Sequence, residues 1–187
     1  MMGTLNKRLK NLHSMMVSRC YDDKYLRRNP NYKGCTVSED FYELENFMIN
    51  IRKVSNFEVW ATQEGWQLDK DLFVQNNKVY SVATCCFLPK KLNITFQGGG
   101  QKKGNDLPNG VVVGKARVGA ATYIAQCVGD KGSNRHVGTY PTAEEAFIAY
   151  SKAKQRLVAR LTFDYFEHLD DITIDKLLSY TPHKEYR

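Results

Sequence analysis

The sequence predicts an α+β chain built from two small units, and three observations predict it. The first half carries apolar residues at helical spacing, interrupted by short alternating runs. A glycine- and lysine-rich stretch then follows, centred on Gly98-Gly99-Gly100-Gln101-Lys102-Lys103-Gly104. After it come three strand-like runs and one long amphipathic segment, the pattern of a small sheet packed on a helix. With 187 residues in total, each unit can bury only a modest core. The expected bounds are 1–97 for the first unit, 98–109 for a flexible basic linker, 110–163 for the second unit and 164–187 for a helical tail. No internal repeat is present.

Residues 5–25 read as a helix, because Leu9, Leu12, Met16 and Cys20 recur three and four apart. Asn29-Pro30-Asn31 ends it in a turn, and Thr36-Val37 starts a short extended piece. Ser38-Glu39-Asp40-Phe41 has the form of a capped helix start. The helix it opens is expected to run to about residue 54, with Phe41, Leu44, Phe47, Met48 and Ile51 on its apolar face. From Trp66 to Leu72 the residues alternate as in a strand, and Asn76-Asn77-Lys78 makes a turn. Residues 81–87 form a further short segment, followed by a brief helix or turn containing Lys90, Lys91, Leu92 and Asn93.

Beyond the linker, residues 111–113, 123–128 and 135–140 read as three antiparallel strands, with Lys131-Gly132-Ser133-Asn134 turning between the last two. Thr142-Ala143-Glu144-Glu145 is a capping box. It opens a long helix whose Ala146, Tyr150, Ala153, Leu157 and Leu161 share one side, widened by Phe147 and Val158. Residues 175–180 are expected to add a short helix, and 183–187 to fray.

The formal charge of +7 suits a polyanionic partner, since each neutralised phosphate releases counterions. No apolar run of membrane-spanning length exists. The start of the chain carries no apolar stretch behind its charges, so a cytoplasmic protein is expected. The five cysteines are Cys20, Cys35, Cys85, Cys86 and Cys127. An odd number without a secretory signal argues against a disulfide framework. Two readings stand: free buried thiols, or a structural Zn2+ site drawn from Cys20, Cys35, Cys85 and Cys86. Tyr21, Tyr25, Arg27, Arg28, Tyr32 and Lys33 interleave aromatics with cations. They are either a phosphate- and base-contacting patch or a solvated loop with anchoring tyrosines.

The second unit carries the more specific pattern. Leu107-Pro108-Asn109-Gly110-Val111, Tyr123-Ile124-Ala125-Gln126 and the run from Val137 through Gly138-Thr139-Tyr140-Pro141-Thr142 to Glu144-Glu145-Ala146 and Tyr150 resemble the APETALA2/ethylene-response-type DNA-binding domain. The match spans about residues 107–161. The resemblance implies a three-stranded sheet packed on one helix, with the sheet face entering the major groove of double-stranded DNA. Carried over by strand position, the DNA-contacting candidates are Lys115, Arg117, Tyr123, Gln126 and Arg135.

In the first unit, Met16-Val17-Ser18-Arg19-Cys20-Tyr21, Tyr32-Lys33-Gly34-Cys35-Thr36-Val37, Phe41 with Phe47, Leu68-Asp69-Lys70-Asp71, Asn77-Lys78-Val79-Tyr80-Ser81 and Cys85-Cys86-Phe87-Leu88-Pro89 with Asn93 resemble phage HNH homing endonucleases. The resemblance covers about residues 10–97 and implies a degenerate HNH module of the ββα-metal kind. It implies Asp69 and Asn93 as ligands of one Mg2+ or Mn2+ ion, the metal offsetting charge on the scissile phosphate. Asn77 would order the connecting turn, and Asp71 could assist. Lys70 stands where an active site would carry the general-base histidine. A lysine, with a pKa of about 10.4, is a poor base at neutral pH, so its role here would be electrostatic. None of His13, His136, His168 and His183 lies in the motif, and structural roles are expected for all four.

Three functions follow as expectations. One is a metal-dependent DNA endonuclease or nickase of homing type, with Asp69, Lys70 and Asn93 at its site. Another is a catalytically inactive, regulatory DNA-binding protein that keeps the scaffold, cytoplasmic in the host cell if phage-encoded. The third is a factor that binds a host protein through its first unit. None requires a membrane or a small-molecule substrate.

Overall fold

The computed structural model describes residues 2–96, 107–114, 121–129 and 133–182. The expected linker falls mostly outside them, as do Lys115, Arg117, the turn at 130–132 and the last five residues. The chain is α+β and divides into two units, Met1–Lys90 with Glu167–Lys176, and Lys91–Phe166 with Leu177–Arg187.

The first unit opens with α1 (Met2–Tyr21), which buries Leu9, Met16 and Cys20. One continuous helix was expected to reach residue 25. Instead Asp22 takes an extended conformation, and its carboxylate accepts a hydrogen bond from the Tyr25 backbone N–H at 2.9 Å, starting α2 (Asp23–Arg28). The local N-cap wins because a short acidic side chain satisfies orphan N–H groups that a continued helix would not expose. The second expected helix is likewise divided. Glu43 is extended, at φ −79° and ψ 136°, between α3 (Glu39–Tyr42) and α4 (Leu44–Asn50). The apolar face still holds: Phe41, Phe47 and Ile51 are all fully buried.

A further helix, α5 (Phe57–Thr62), is too short to show helical periodicity in the sequence. It is held from outside. Arg8 on α1 donates to the carbonyls of Ala61 at 3.0 Å and Trp60 at 2.5 Å, and its guanidinium lies 4.5 Å from the centre of the Trp60 ring. A cation at a helix C-terminus meets both the orphan carbonyls and the helix dipole. Trp60 stacks in turn on Phe87 at 4.8 Å. Just before α5, Asn56 adopts a left-handed conformation at φ 63°. Its side chain donates to the Phe87 carbonyl at 3.0 Å and to the Thr173 hydroxyl at 3.1 Å, and accepts from the Asp170 N–H at 2.7 Å. One amide thus pins the returning segment, with the start of α8 (Asp171–Leu178), onto the first unit. That helix begins four residues earlier than the sequence suggests, with the Asp170 carboxylate accepting from the Thr173 N–H at 2.8 Å.

The strands of this unit are short. β1 (Thr36–Val37) pairs in parallel with β3 (Val79–Tyr80). β2 (Trp66–Asp69) pairs antiparallel with β4 (Cys86–Pro89), Asp69 standing opposite Cys86. All four residues of β4 are buried, which erases the alternation that would have marked it as a strand. α6 (Lys90–Phe96) follows β4 without a break.

The second unit matches its expected layout. β5 (Val111–Val113), β6 (Tyr123–Val128) and β7 (Asn134–Tyr140) form one antiparallel sheet in the order β5-β6-β7, packed on α7 (Ala143–Asp164). The Thr142 hydroxyl accepts from the Glu145 N–H at 3.2 Å, so the N-cap half of the expected capping box is formed. The core holds Val111, Ala125, Cys127, Ala146, Phe147 and Tyr150. Gly110 sits at φ +76°, and a Cβ there would overlap the Tyr150 ring.

Gly110→Ala therefore combines a left-handed backbone penalty with a clash against a buried ring. It should destabilise the second unit by about 2 kcal/mol or more. Hydrogen exchange at the β6 amides is the readout, and unchanged protection would contradict the packing described.

Candidate functional site

The turn between β2 and β3 gathers Asp69, Lys70, Asp71 and Asn77. Asp69 is only 8% exposed, and its Oδ1 accepts from the backbone N–H groups of Asp71 at 3.0 Å and Leu72 at 2.8 Å. This is the turn-capping geometry that a short carboxylate makes with its own chain. Burial is the chief cause that raises the Asp69 carboxyl from 3.8 to about 6; the neighbouring Asp71 charge adds to it, and the two N–H bonds oppose it.

Lys70 is 7% exposed. Its ammonium donates to the Asp71 carboxylate at 2.6 Å and to the Asn77 carbonyl at 2.6 Å, and lies 5.9 Å from the centre of the Tyr80 ring. Both partners are acceptors, so Lys70 acts as a fixed cation and donor. Asn77 completes the clasp. Its amide donates to the carbonyls of Lys70 at 2.7 Å and Val79 at 2.6 Å, and its oxygen accepts from the Val79 N–H at 3.0 Å. The expectation that Asn77 orders this turn is realised in these three bonds.

Asn93, the other expected ligand, lies buried on α6, which belongs to the second unit. Among the described residues, no group of three or more His, Cys, Asp or Glu side chains is gathered in a way that could hold a metal ion. The donor set at the turn fits a divalent ion poorly, since Asp69 caps backbone N–H groups and Asp71 is met by an ammonium. The five cysteines are free and buried. Cys20 has Cys35 for a neighbour, and Cys85 has Asp69 and Lys70. Burial pushes the Cys20 thiol up to about 11 and that of Cys85 to about 12.

The tyrosines of the aromatic and cationic patch make contacts within the fold. Tyr25 and Tyr32 meet edge to face at 5.8 Å, and Arg19 lies 5.6 Å from the Tyr32 ring centre. The Tyr21 hydroxyl accepts from the Val37 N–H at 3.1 Å. These tyrosines anchor the loop before β1, while Arg27, Arg28 and Lys33 remain exposed. His13 packs on Phe47 at 5.1 Å and hydrogen-bonds the Tyr42 carbonyl through Nε2 at 2.9 Å, the structural role expected of it.

On the sheet of the second unit, register decides which side chains face away from α7. Ala125 and Cys127 are buried against the helix, so Ile124 and Gln126 point the other way. Thr139 pairs with Ile124 and His136 with Gln126, placing both on that outer face. There the His136 ring Nε2 and the Thr139 hydroxyl share a hydrogen bond of 3.1 Å. Tyr123 has the opposite parity and packs on the core. Arg135 is exposed, but it pairs with Cys127 and so turns to the helix side. Of the five expected DNA-contacting residues, Gln126 alone stands on the outer face among the described residues. Lys115 and Arg117 lie outside those residues. The sequence reading set His136 in a strand beside Arg135, where it could meet phosphate, and passed over Thr139; strand alternation counted through the bulge places both on the outer face. Compared with protein-family models, curated proteins and solved structures, the chain matches none.

Two predictions follow from the turn. The folded state binds the Asp69 proton more tightly than the unfolded chain does. Its contribution to stability is therefore complete below about pH 4 and lost as pH rises through 6, amounting to at most about 3 kcal/mol. Asp69→Asn keeps the oxygen acceptor and removes the buried charge. Urea melts between pH 4 and 7 should show the slope of the native protein and its flattening in the variant. Lys70→Met leaves the Asn77 carbonyl and the Asp71 carboxylate without their donor and should cost about 2 kcal/mol. Equal unfolding midpoints for Lys70→Met and the native chain would contradict the clasp.

Proposed function

We propose that this is a duplex-DNA-binding protein whose HNH-like turn serves as a structural clasp and does not cleave. The observation that carries the reading is the three-stranded sheet packed on α7 through one face, with Gln126, His136 and Thr139 on the other. That face offers donors and acceptors of the kind that read base edges in the major groove. The net charge of +7 supplies the sequence-independent attraction to phosphate. The resemblance to the APETALA2/ethylene-response-type domain supports the same use of the sheet. The reading of the turn rests on Lys70. In place of the histidine of an HNH site stands an ammonium engaged by Asp71 and Asn77.

Metal-dependent nicking is the second reading. The observation favouring it is the Asp69 carboxyl held near 6 in a buried turn, since such perturbed groups cluster at functional sites. Asp69 and Asn93 would be its ligands for Mg2+ or Mn2+.

Fluorescence anisotropy with a short labelled duplex should show binding that weakens at least tenfold between about 50 and 200 mM salt. Gln126→Ala with His136→Ala should reduce discrimination between duplex sequences more than it reduces overall affinity. Supercoiled plasmid incubated with Mg2+ or Mn2+ should stay intact. Nicking that vanishes in Asp69→Ala and Asn93→Ala would replace the first reading with the second.

A further inference from the structure

The outer face of the second unit's sheet is set by register. On β6, Ala125 and Cys127 are buried against α7, so Ile124 and Gln126 stand together on the other side, both partly exposed. Across the strands, Val112 pairs with Ile124, Ile124 with Thr139, and Gln126 with His136. On β7 the pairing slips by one residue, because Gln126 is opposite His136 while Ala125 is opposite Gly138. Val137 is the extra residue of this bulge. The slip keeps His136 and Thr139 on the outer side and turns Arg135 away from it. Among the described residues, this face therefore carries Val112, Ile124 and Gln126 along its middle and no arginine or lysine. The His136 ring and the Thr139 hydroxyl beside them are engaged with each other at 3.1 Å.

We propose that this face selects adenine–thymine pairs in duplex DNA, Gln126 pairing its carboxamide with the adenine edge while Ile124 and Val112 cover a thymine methyl. The selection rests on the duplex-binding reading above. In the major groove adenine offers an acceptor at N7 beside a donor at N6, the complement of one carboxamide. Guanine offers two acceptors, N7 and O6, and calls for the paired donors of an arginine or lysine. Thymine also brings a methyl group into that groove, and an aliphatic surface gains by covering it. Spacing fits the same assignment. Two residues apart on one strand, Ile124 and Gln126 are separated by about 7 Å. That equals two base-pair steps of about 3.4 Å each, so a strand lying along the groove sets both side chains over base edges. The net charge of +7 draws the polyanion in without choosing between sequences.

The test compares short labelled duplexes on the full chain in EDTA, their central pairs either A·T or G·C between identical ends. The A·T centre should bind about fivefold or more tighter than the G·C centre. Replacing adenine by 7-deazaadenine removes the N7 acceptor, and replacing thymine by uracil removes only the methyl. Each should cost the native chain about threefold or more in affinity. Gln126→Ala should become indifferent to 7-deazaadenine and keep its response to uracil. Val112→Ala/Ile124→Ala should do the opposite, with native amide spectra in α7 showing that the unit stays folded. Equal, salt-sensitive binding of A·T and G·C centres would overturn the selection and leave the duplex-binding reading standing. A preference for G·C, or variants that keep both responses, would also overturn it. Absence of binding to every duplex would remove the duplex-binding reading and the selection with it. Self-association that Val112→Ala/Ile124→Ala weakens, without duplex binding, would assign the face to a second copy of the chain instead.

Discussion

A buried ammonium cannot be left without acceptors, and in the first unit that constraint falls on Lys70. Stripped of water, the side chain requires oxygen partners, and the Asp71 carboxylate and the Asn77 carbonyl supply them at 2.6 Å each. Their positions then fix the loop from Lys70 to Asn77, and Asn77 passes the order on to Val79 through both ends of its amide. Since β3 pairs with β1, the clasp also positions the segment that follows Cys35. The Lys78 ammonium adds to this by donating to the Asn31 carbonyl at 2.9 Å. Turn, strand pair and preceding loop thus form one hydrogen-bonded assembly.

This arrangement bears on chemistry as much as on stability. A general base must be free to approach its substrate, and the Lys70 nitrogen is instead buried and engaged with Asp71 and Asn77. Asp69 beside it spends one oxygen on two N–H groups. The polar groups of this turn are thus engaged with one another and with its backbone. The second unit is governed by a different constraint, strand parity. One bulged residue, Val137, separates the outer-face pair His136 and Thr139 from Arg135, which turns to the helix. Two faces of different character thus emerge from seven residues of one strand.

Much of the second unit was legible in advance. Its strands and long helix follow from period-2 and period-3.6 patterns and from a capping threonine, all of them local signals. Less of the first unit was. α5 is six residues long and owes its place to Arg8, some fifty positions earlier in the chain. β4 is buried on both faces, so its sequence lacks alternation. The breaks at Asp22 and Glu43 came from competition between a continuing helix and local caps or extended backbone, which an apolar pattern does not report. Among the candidate site residues, Asn77 was read in its actual role. Tyr123 and Arg135 were placed by strand position alone; Tyr123 turns to the core by its parity with Ala125, and the β7 bulge turns Arg135 to the helix side.

What the sequence determined by itself is the α+β class, the sheet-and-helix unit after residue 107, the basic charge, and a lysine set between two aspartates at position 70. These are properties of composition and short-range periodicity, and they need no knowledge of distant partners. What only the tertiary structure decided is the state of that lysine and the side of the sheet on which Arg135 stands. Each depends on which acceptors, register and neighbours the fold brings within a few ångströms, and contacts between residues far apart in the chain leave no periodic trace in it.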